Sequence, residues 1–218
     1  MMKRMFAAMI VGSIGLAGVA QAQTPAPAAV VEDVQGKVTG AEFMDYVVPG
    51  QVIKLGPGGV VVLGYMKSCW HETISGIGTV IVGAEQSAVH LADFKANKVT
   101  CDSSQANRIG KEAGESAATV VRSIAEESVP PPVVLHGLSP VIATAERGKL
   151  IVERLDVKGE RYEVDAGGKS YDFLKANTAL KAGGTYAASL KSKRVVFRID
   201  ASAAPGPSPI VGRLVTLR

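Results

Sequence analysis

The chain has 218 residues, of which 47% are hydrophobic, 20% charged and 5% aromatic, with 24 glycines. That composition excludes a disordered chain, a collagen and a disulfide-dense miniprotein, and it predicts a turn-rich globular protein with a real core. The formal net charge of +4 carries no clustered basic stripe, so a nucleic-acid-binding surface is not expected.

Lys3 and Arg4 precede an uncharged apolar stretch over residues 5–20, and Ala20-Gln21-Ala22 has the small-x-small form of a cleavage site. This order predicts a signal peptide over residues 1–22 and export from the cytosol. Without it the chain keeps 22 Lys+Arg against 20 Asp+Glu, a net of +2. No later stretch has the roughly 20 apolar residues of a membrane span, so no transmembrane segment is expected in the mature chain. Residues 23–29 (QTPAPAA) read as a flexible tail.

Residues 30–102 are expected to form a β module. Val34-Gln35-Gly36-Lys37-Val38 alternates apolar and polar residues, residues 52–55 follow a Pro49-Gly50 turn, and residues 60–65 (VVVLGY) form a continuous apolar run suited to a buried strand. Gly56-Pro57-Gly58-Gly59 separates the last two. Further strands are expected over residues 71–74, 79–82 and 98–101. A helix is predicted over residues 103–128, because Ala106, Ile109, Ala113, Ala117, Val120, Val121 and Ile124 recur at helical steps. Ser103 or Ser104 can cap its start.

Pro130-Pro131-Pro132 marks a Pro-rich linker over residues 129–138. Residues 139–218 are expected to form a second β module, with strands over residues 150–155, 161–164, 186–190, 194–200 and 211–217. Residues 171–180 read as a short helix or an irregular crossover, and residues 203–209 as a proline loop. The fold class is therefore mainly β, with two small β-sandwich-like modules and one helix before the linker. Charge divides between them: residues 30–128 carry 8 basic and 12 acidic side chains, residues 133–218 carry 14 and 8. Two solvated surfaces of different sign, mutual docking, and contact with an anionic envelope polymer all fit that division.

Cys69 and Cys101 are the two cysteines. An even count in an exported chain predicts a disulfide. Cys69-Trp70-His71-Glu72 invites comparison with a catalytic or metal site, but a zinc site needs three or four ligands and His90 and His136 show no partner spacing. The carboxylates Glu32-Asp33 and Glu126-Glu127 fall at expected element ends. No catalytic, cofactor-binding or metal residues are assigned.

Leu180, Gly183 and Tyr186, within LKAGGTY, resemble the tyrosine corner of fibronectin type III and other immunoglobulin-like sandwiches, with Ala182 where proline is usual. That resemblance implies an immunoglobulin-like second module in which the Tyr186 hydroxyl bonds back to upstream backbone. Val34-Gln35-Gly36-Lys37-Val38, Pro49-Gly50-Gln51-Val52-Ile53 and residues 60–63 resemble the opening strands of the FecR-type periplasmic β-domain of envelope sensors, over residues 30–90. Here a signal peptide stands where such a sensor has a cytoplasmic segment and a membrane helix. The expected function is a non-enzymatic periplasmic or secreted binding or scaffold protein with an envelope protein or polymer as partner and no cofactor. The alternatives are an envelope hydrolase using Cys69, His71 and Glu72, and a soluble sensory component acting through a membrane partner.

Overall fold

The structure is a computed structural model, and it describes residues 25–104, 106 and 132–217. The signal peptide expected over residues 1–22 lies outside the described residues, as does nearly all of the helix expected over residues 103–128.

The chain is mainly β. Nine strands come from the first part: β1 (Ala29–Gln35), β2 (Val38–Thr39), β3 (Tyr46–Val47), β4 (Val52–Leu55), β5 (Val60–Tyr65), β6 (Trp70–Ser75), β7 (Gly78–Ile81), β8 (Ala88–His90) and β9 (Asp93–Lys98). They form two sheets, in the orders β3-β1-β5-β6-β9 and β2-β4-β7-β8. The apolar run of β5 is central in its sheet, between β1 and β6, with Val61, Leu63 and Tyr65 in the core, Gly64 buried on the other face, and Val60 and Val62 half-buried. In β4 the alternation is strict: Ile53 and Leu55 turn inward, Val52 and Lys54 outward. Val31, Ile53, Leu63, Tyr65, Ile74 and Val80 from both sheets share one core.

Eight strands come from the second part: β10 (Val133–Gly137), β11 (Val141–Thr144), β12 (Gly148–Arg154), β13 (Arg161–Ala166), β14 (Ser170–Asp172), β15 (Thr185–Leu190), β16 (Lys193–Ala204) and β17 (Leu214–Leu217). Their sheets run β10-β16-β15-β12-β13 and β14-β11-β17. β10 lies parallel to β16, and β11 parallel to β17. Leu135, Ile142, Leu150, Phe173, Tyr186, Phe197 and Val215 make a second core from both sheets.

Three expectations are corrected, and one, the irregular crossover over residues 171–180, is narrowed. Residues 133–137, read as part of the linker, are strand β10: its inward Val133 and Leu135 outweigh the influence of the prolines before it. Of the strand expected over residues 98–101 only Lys98 is one; the pairing with β6 is made by Asp93–Lys98, a polar edge strand without the apolar signature sought. Residues 171–180 begin in β14 and continue as turns. The loop expected from residue 203 starts later, because β16 runs to Ala204 before residues 205–209 lead into a 3-10 turn, Ile210–Gly212.

The two pairs of sheets meet through apolar side chains. Val30, Met44, Val141, Ala143, Ile210 and Leu214 form one buried cluster across the junction, and Met66, Ala106 and Val211 another. The Tyr46 hydroxyl lies 2.7 Å from Thr216 Oγ1, and Lys169 Nζ lies 2.9 Å from carboxylates of both Glu42 and Asp45. The unequal charge of the two parts thus meets at Lys169, but that pair is exposed and contributes no more than about 1 kcal/mol. Burial of the six-residue cluster is the larger effect, at about 1.5–3 kcal/mol for each large side chain.

Candidate functional site: a groove at the junction

β1 does not pair evenly with β5. Val31 faces Leu63 and Asp33 faces Val62, so Glu32 is the extra residue of a β-bulge. A bulge re-aims the side chain it carries, and this one sends a carboxylate into the junction. The neighbouring position of β5 is Gly64. A Cβ there would stand 2.1 Å from Glu32 Oε1 and 2.8 Å from Val211 Cβ, so only glycine leaves room for both.

Glu32 has only 5% of its side chain exposed. Such a burial is tolerable only with strong partners. The backbone N–H groups of Ile210 and Val211, in the 3-10 turn, donate to it at 2.8 and 2.7 Å. His71 Nε2, from β6, lies 3.4 Å from Oε2. Hydrogen bonding to Glu32 raises the His71 pKa above its ordinary 6.5; burial opposes the shift, while the charge of Glu32 and a hydrogen bond with Asn97 add to it.

A second buried polar knot lies beside the first. Arg213 accepts no water exposure to speak of, at 5% for its side chain. It donates through Nε to the Ser208 carbonyl (2.8 Å), through one terminal nitrogen to the Ser139 carbonyl (3.0 Å) and Asp172 Oδ1 (2.6 Å), and through the other to Asp172 Oδ2 (3.3 Å). This bidentate geometry suits guanidinium against carboxylate. It fixes the proline loop of residues 205–209 against β14.

Between these knots runs a groove of about 590 Å³, with Val34, Phe43, Val62, Leu174, Pro207 and Pro209 among its walls. His71, Glu32, Asp172 and Arg213 supply its polar floor. Lys175 Nζ sits 5.0 Å from the centre of the Phe43 ring, a cation–π distance. On the other side of the proline loop is a smaller hollow of about 340 Å³, where His136 and Thr100 face Pro205 and Pro207.

The residues singled out from sequence fall in three places. Cys69 and Cys101 are joined by a disulfide with Cα atoms 5.7 Å apart. Cys69 lies in the turn before β6 with φ 56°. As a disulfide sulfur it offers no thiolate, the species a cysteine nucleophile requires. His71 reaches the groove. Glu72 is turned the other way, into the first core, with no exposure. Its Oε1 accepts from Ser87 N–H at 3.1 Å, and its Oε2 has no hydrogen-bond partner. Burial raises its pKa above 4.5, with Ser87 acting against the shift. Cys69, His71 and Glu72 are therefore not brought together, because adjacent strand residues point to opposite faces.

Leu180, Gly183 and Tyr186 lie in the second core and its edge. Leu180 is buried, Gly183 has φ 74°, and the Tyr186 hydroxyl accepts from Lys181 N–H at 3.0 Å while donating to Glu160 at 2.9 Å. Burial of the phenol pushes its pKa up to about 12. None of the three lines the groove.

Glu32, expected at an element end, lies in the middle of β1, and neither its role nor Gly64, Asp172 and Arg213 were foreseen. A signal existed for one of them: an isolated glycine inside the apolar run VVVLGY marks close approach of another part of the chain. Among the described residues no group of three or more His, Cys, Asp or Glu is placed to hold a metal ion. No helix among them is long and apolar enough to cross a membrane. Comparison with protein-family models, curated proteins and solved structures found no match.

Proposed function

We propose that this chain is a non-enzymatic binding or scaffold protein of the cell envelope, exported to an oxidising compartment. In this reading it is built from two small β-sandwich-like modules, the first FecR-like and the second immunoglobulin-like. The disulfide supports the compartment, since such bonds persist where thiols are not kept reduced. The Tyr186 to Lys181 backbone bond supports the immunoglobulin-like reading of residues 139–218.

One observation carries the binding function. The buried charged groups at the groove are already engaged: Glu32 by two backbone N–H groups and His71, and Arg213 by Asp172 and two carbonyls. What remains for a ligand is mainly apolar wall, fixed in shape by those bonds, with Asp33, Lys175 and Ser208 as its other polar lining. Such a surface recognises by shape and burial, as grooves do for an extended segment with apolar side chains. The partner is an envelope protein or polymer presenting such a segment.

The test is in situ crosslinking. A photoreactive phenylalanine analogue at Phe43 should repeatedly capture one and the same envelope component from whole cells, and a second one placed on exposed Lys158 should not. Recovery of the chain alone from the Phe43 position, in cells that export it, would overturn the reading.

A further inference from the structure

We propose that the outer face of the β2-β4-β7-β8 sheet, with the turns at its end, binds the surface of an anionic phospholipid membrane. Alternation sends Ile53, Leu55 and Val80 into the core and leaves Val52, Lys54, Thr79 and Ile81 outside. Register then sets Val52, Ile81 and Ala88 in one row across three strands, and Lys54, Thr79 and His90 in the next. Beyond the second row two turns protrude side by side, with Gly78 packed against the backbone of His90 and Ala92.

The turns carry Ile77, 63% exposed, and Leu91, 97% exposed. Leu91 has φ 68°, a conformation disfavoured for a leucine and ordinary for glycine or asparagine. A large apolar side chain held outward on a strained backbone gains nothing from water, so its use must come from another apolar phase. Of seven large hydrophobics exposed among the described residues, five (Val52, Ile77, Ile81, Leu91 and Phe94) belong to this face, its turns or the adjoining start of β9. That concentration exceeds the scatter of single exposed residues that any surface shows.

Charge selects the partner. Residues 30–128 are acidic by four charges, yet the four strands of this sheet hold Lys54 and no carboxylate. The β1–β2 turn adds exposed Lys37; the carboxylates at the rim are Asp93, after the Leu91 turn, and exposed Glu85, in the β7–β8 connection at the opposite end from Ile77 and Leu91. Apolar anchors flanked by lysines match acyl chains beneath phosphate headgroups, with the lysine stems lying along the interface. The four strands of a second copy would bring no carboxylate to Lys54.

The experiment is co-sedimentation of the purified, oxidised chain with vesicles of phosphatidylglycerol and phosphatidylethanolamine, and with phosphatidylcholine vesicles. Binding to the anionic vesicles is expected, weakened by salt and at least about tenfold stronger than to phosphatidylcholine. Leu91→Asn combined with Ile77→Ser should lower it at least tenfold, and Lys54→Glu several-fold. Asparagine accepts the positive φ, so the fold survives the first change; unchanged circular dichroism and absence of free thiol verify this. Failure of the wild type to bind, equal binding to both vesicle types, or undiminished binding by the folded double variant would overturn the proposal. So would a dimer in size-exclusion light scattering that the same substitutions dissolve while vesicle binding stays absent.

Discussion

A carboxylate as deeply placed as Glu32 has to be compensated, and its compensation comes from backbone 178 and 179 residues further along the chain. Removing it leaves two N–H groups in the junction without acceptors, at about 1–3 kcal/mol each. Glu32→Ala should therefore lower stability by about 3 kcal/mol in urea unfolding. Glu32→Gln should cost about half as much, since its amide oxygen still accepts one N–H. A loss below 0.5 kcal/mol for both would show that the bonds contribute little. The two neighbours in β6 govern pH dependence in separate windows. Glu72 has a pKa raised by burial, so its contribution to stability is complete below 4.5 and is lost as pH rises through its folded value. His71 is raised mainly by its bond to Glu32, so its contribution is complete below 6.5 and is lost as pH rises through its own folded value. Glu72→Gln, which supplies an amide where Oε2 lacks a partner, should flatten the acidic window and leave the neutral one. His71→Gln should do the reverse. Urea midpoints followed from pH 4 to 9 read both, and identical profiles for the two variants would refute the assignment.

At the level of strands and turns, close approach matters as much as bonding. Gly64 lets β5 accept Glu32 and Val211 against its backbone, so Gly64→Ala should cost about 2 kcal/mol by overpacking. Gly167→Ala, where a Cβ would meet nothing within 4 Å, should change little. Equal costs measured for the two would remove the packing argument. The disulfide closes a separation of 32 residues. Chain entropy puts its removal at about 3–4 kcal/mol, measurable as the shift in urea midpoint for a Cys69→Ser, Cys101→Ser double variant. These examples also show which elements could be read in advance. β4, β5, β12 and β15 carry alternation or apolar runs because their partners cover them, and Tyr186 was found through its turn residues. β9, written DFKANK, is an exposed edge held by pairing with β6, so neither period nor hydrophobicity reports it. β10 and β11 hide beside Pro132 and Pro140 and take their shape from parallel partners distant in sequence. The bulge at Glu32 and the Arg213 knot depend on long-range contacts with no local signature.

Over the whole molecule, the question is whether the sheets before and after residue 105 unfold together. Mutual docking by charge is one reading of the charge division, but Lys169 with Glu42 and Asp45 is an exposed contact of at most about 1 kcal/mol. The buried cluster around Val30, Met44, Val141 and Ile210, with the Glu32 bonds at its edge, outweighs it several-fold. Coupling of that size makes each side's folding depend on the other, so calorimetry should record one transition in the wild type. A variant with Glu32→Ala and Ile210→Ser removes both the bonded and the apolar contributions, and its transition should split in two. The disulfide then identifies them. Cys69 and Cys101 both belong to the first part, so reduction should lower one transition of the variant and leave the other in place, while in the wild type it lowers the single transition. A variant whose single transition merely moves down would show that the coupling does not rest on Glu32 and Ile210, whereas two transitions already present in the wild type would show that the junction does not couple the sheets, and a groove fixed by that junction could no longer be treated as a rigid binding surface.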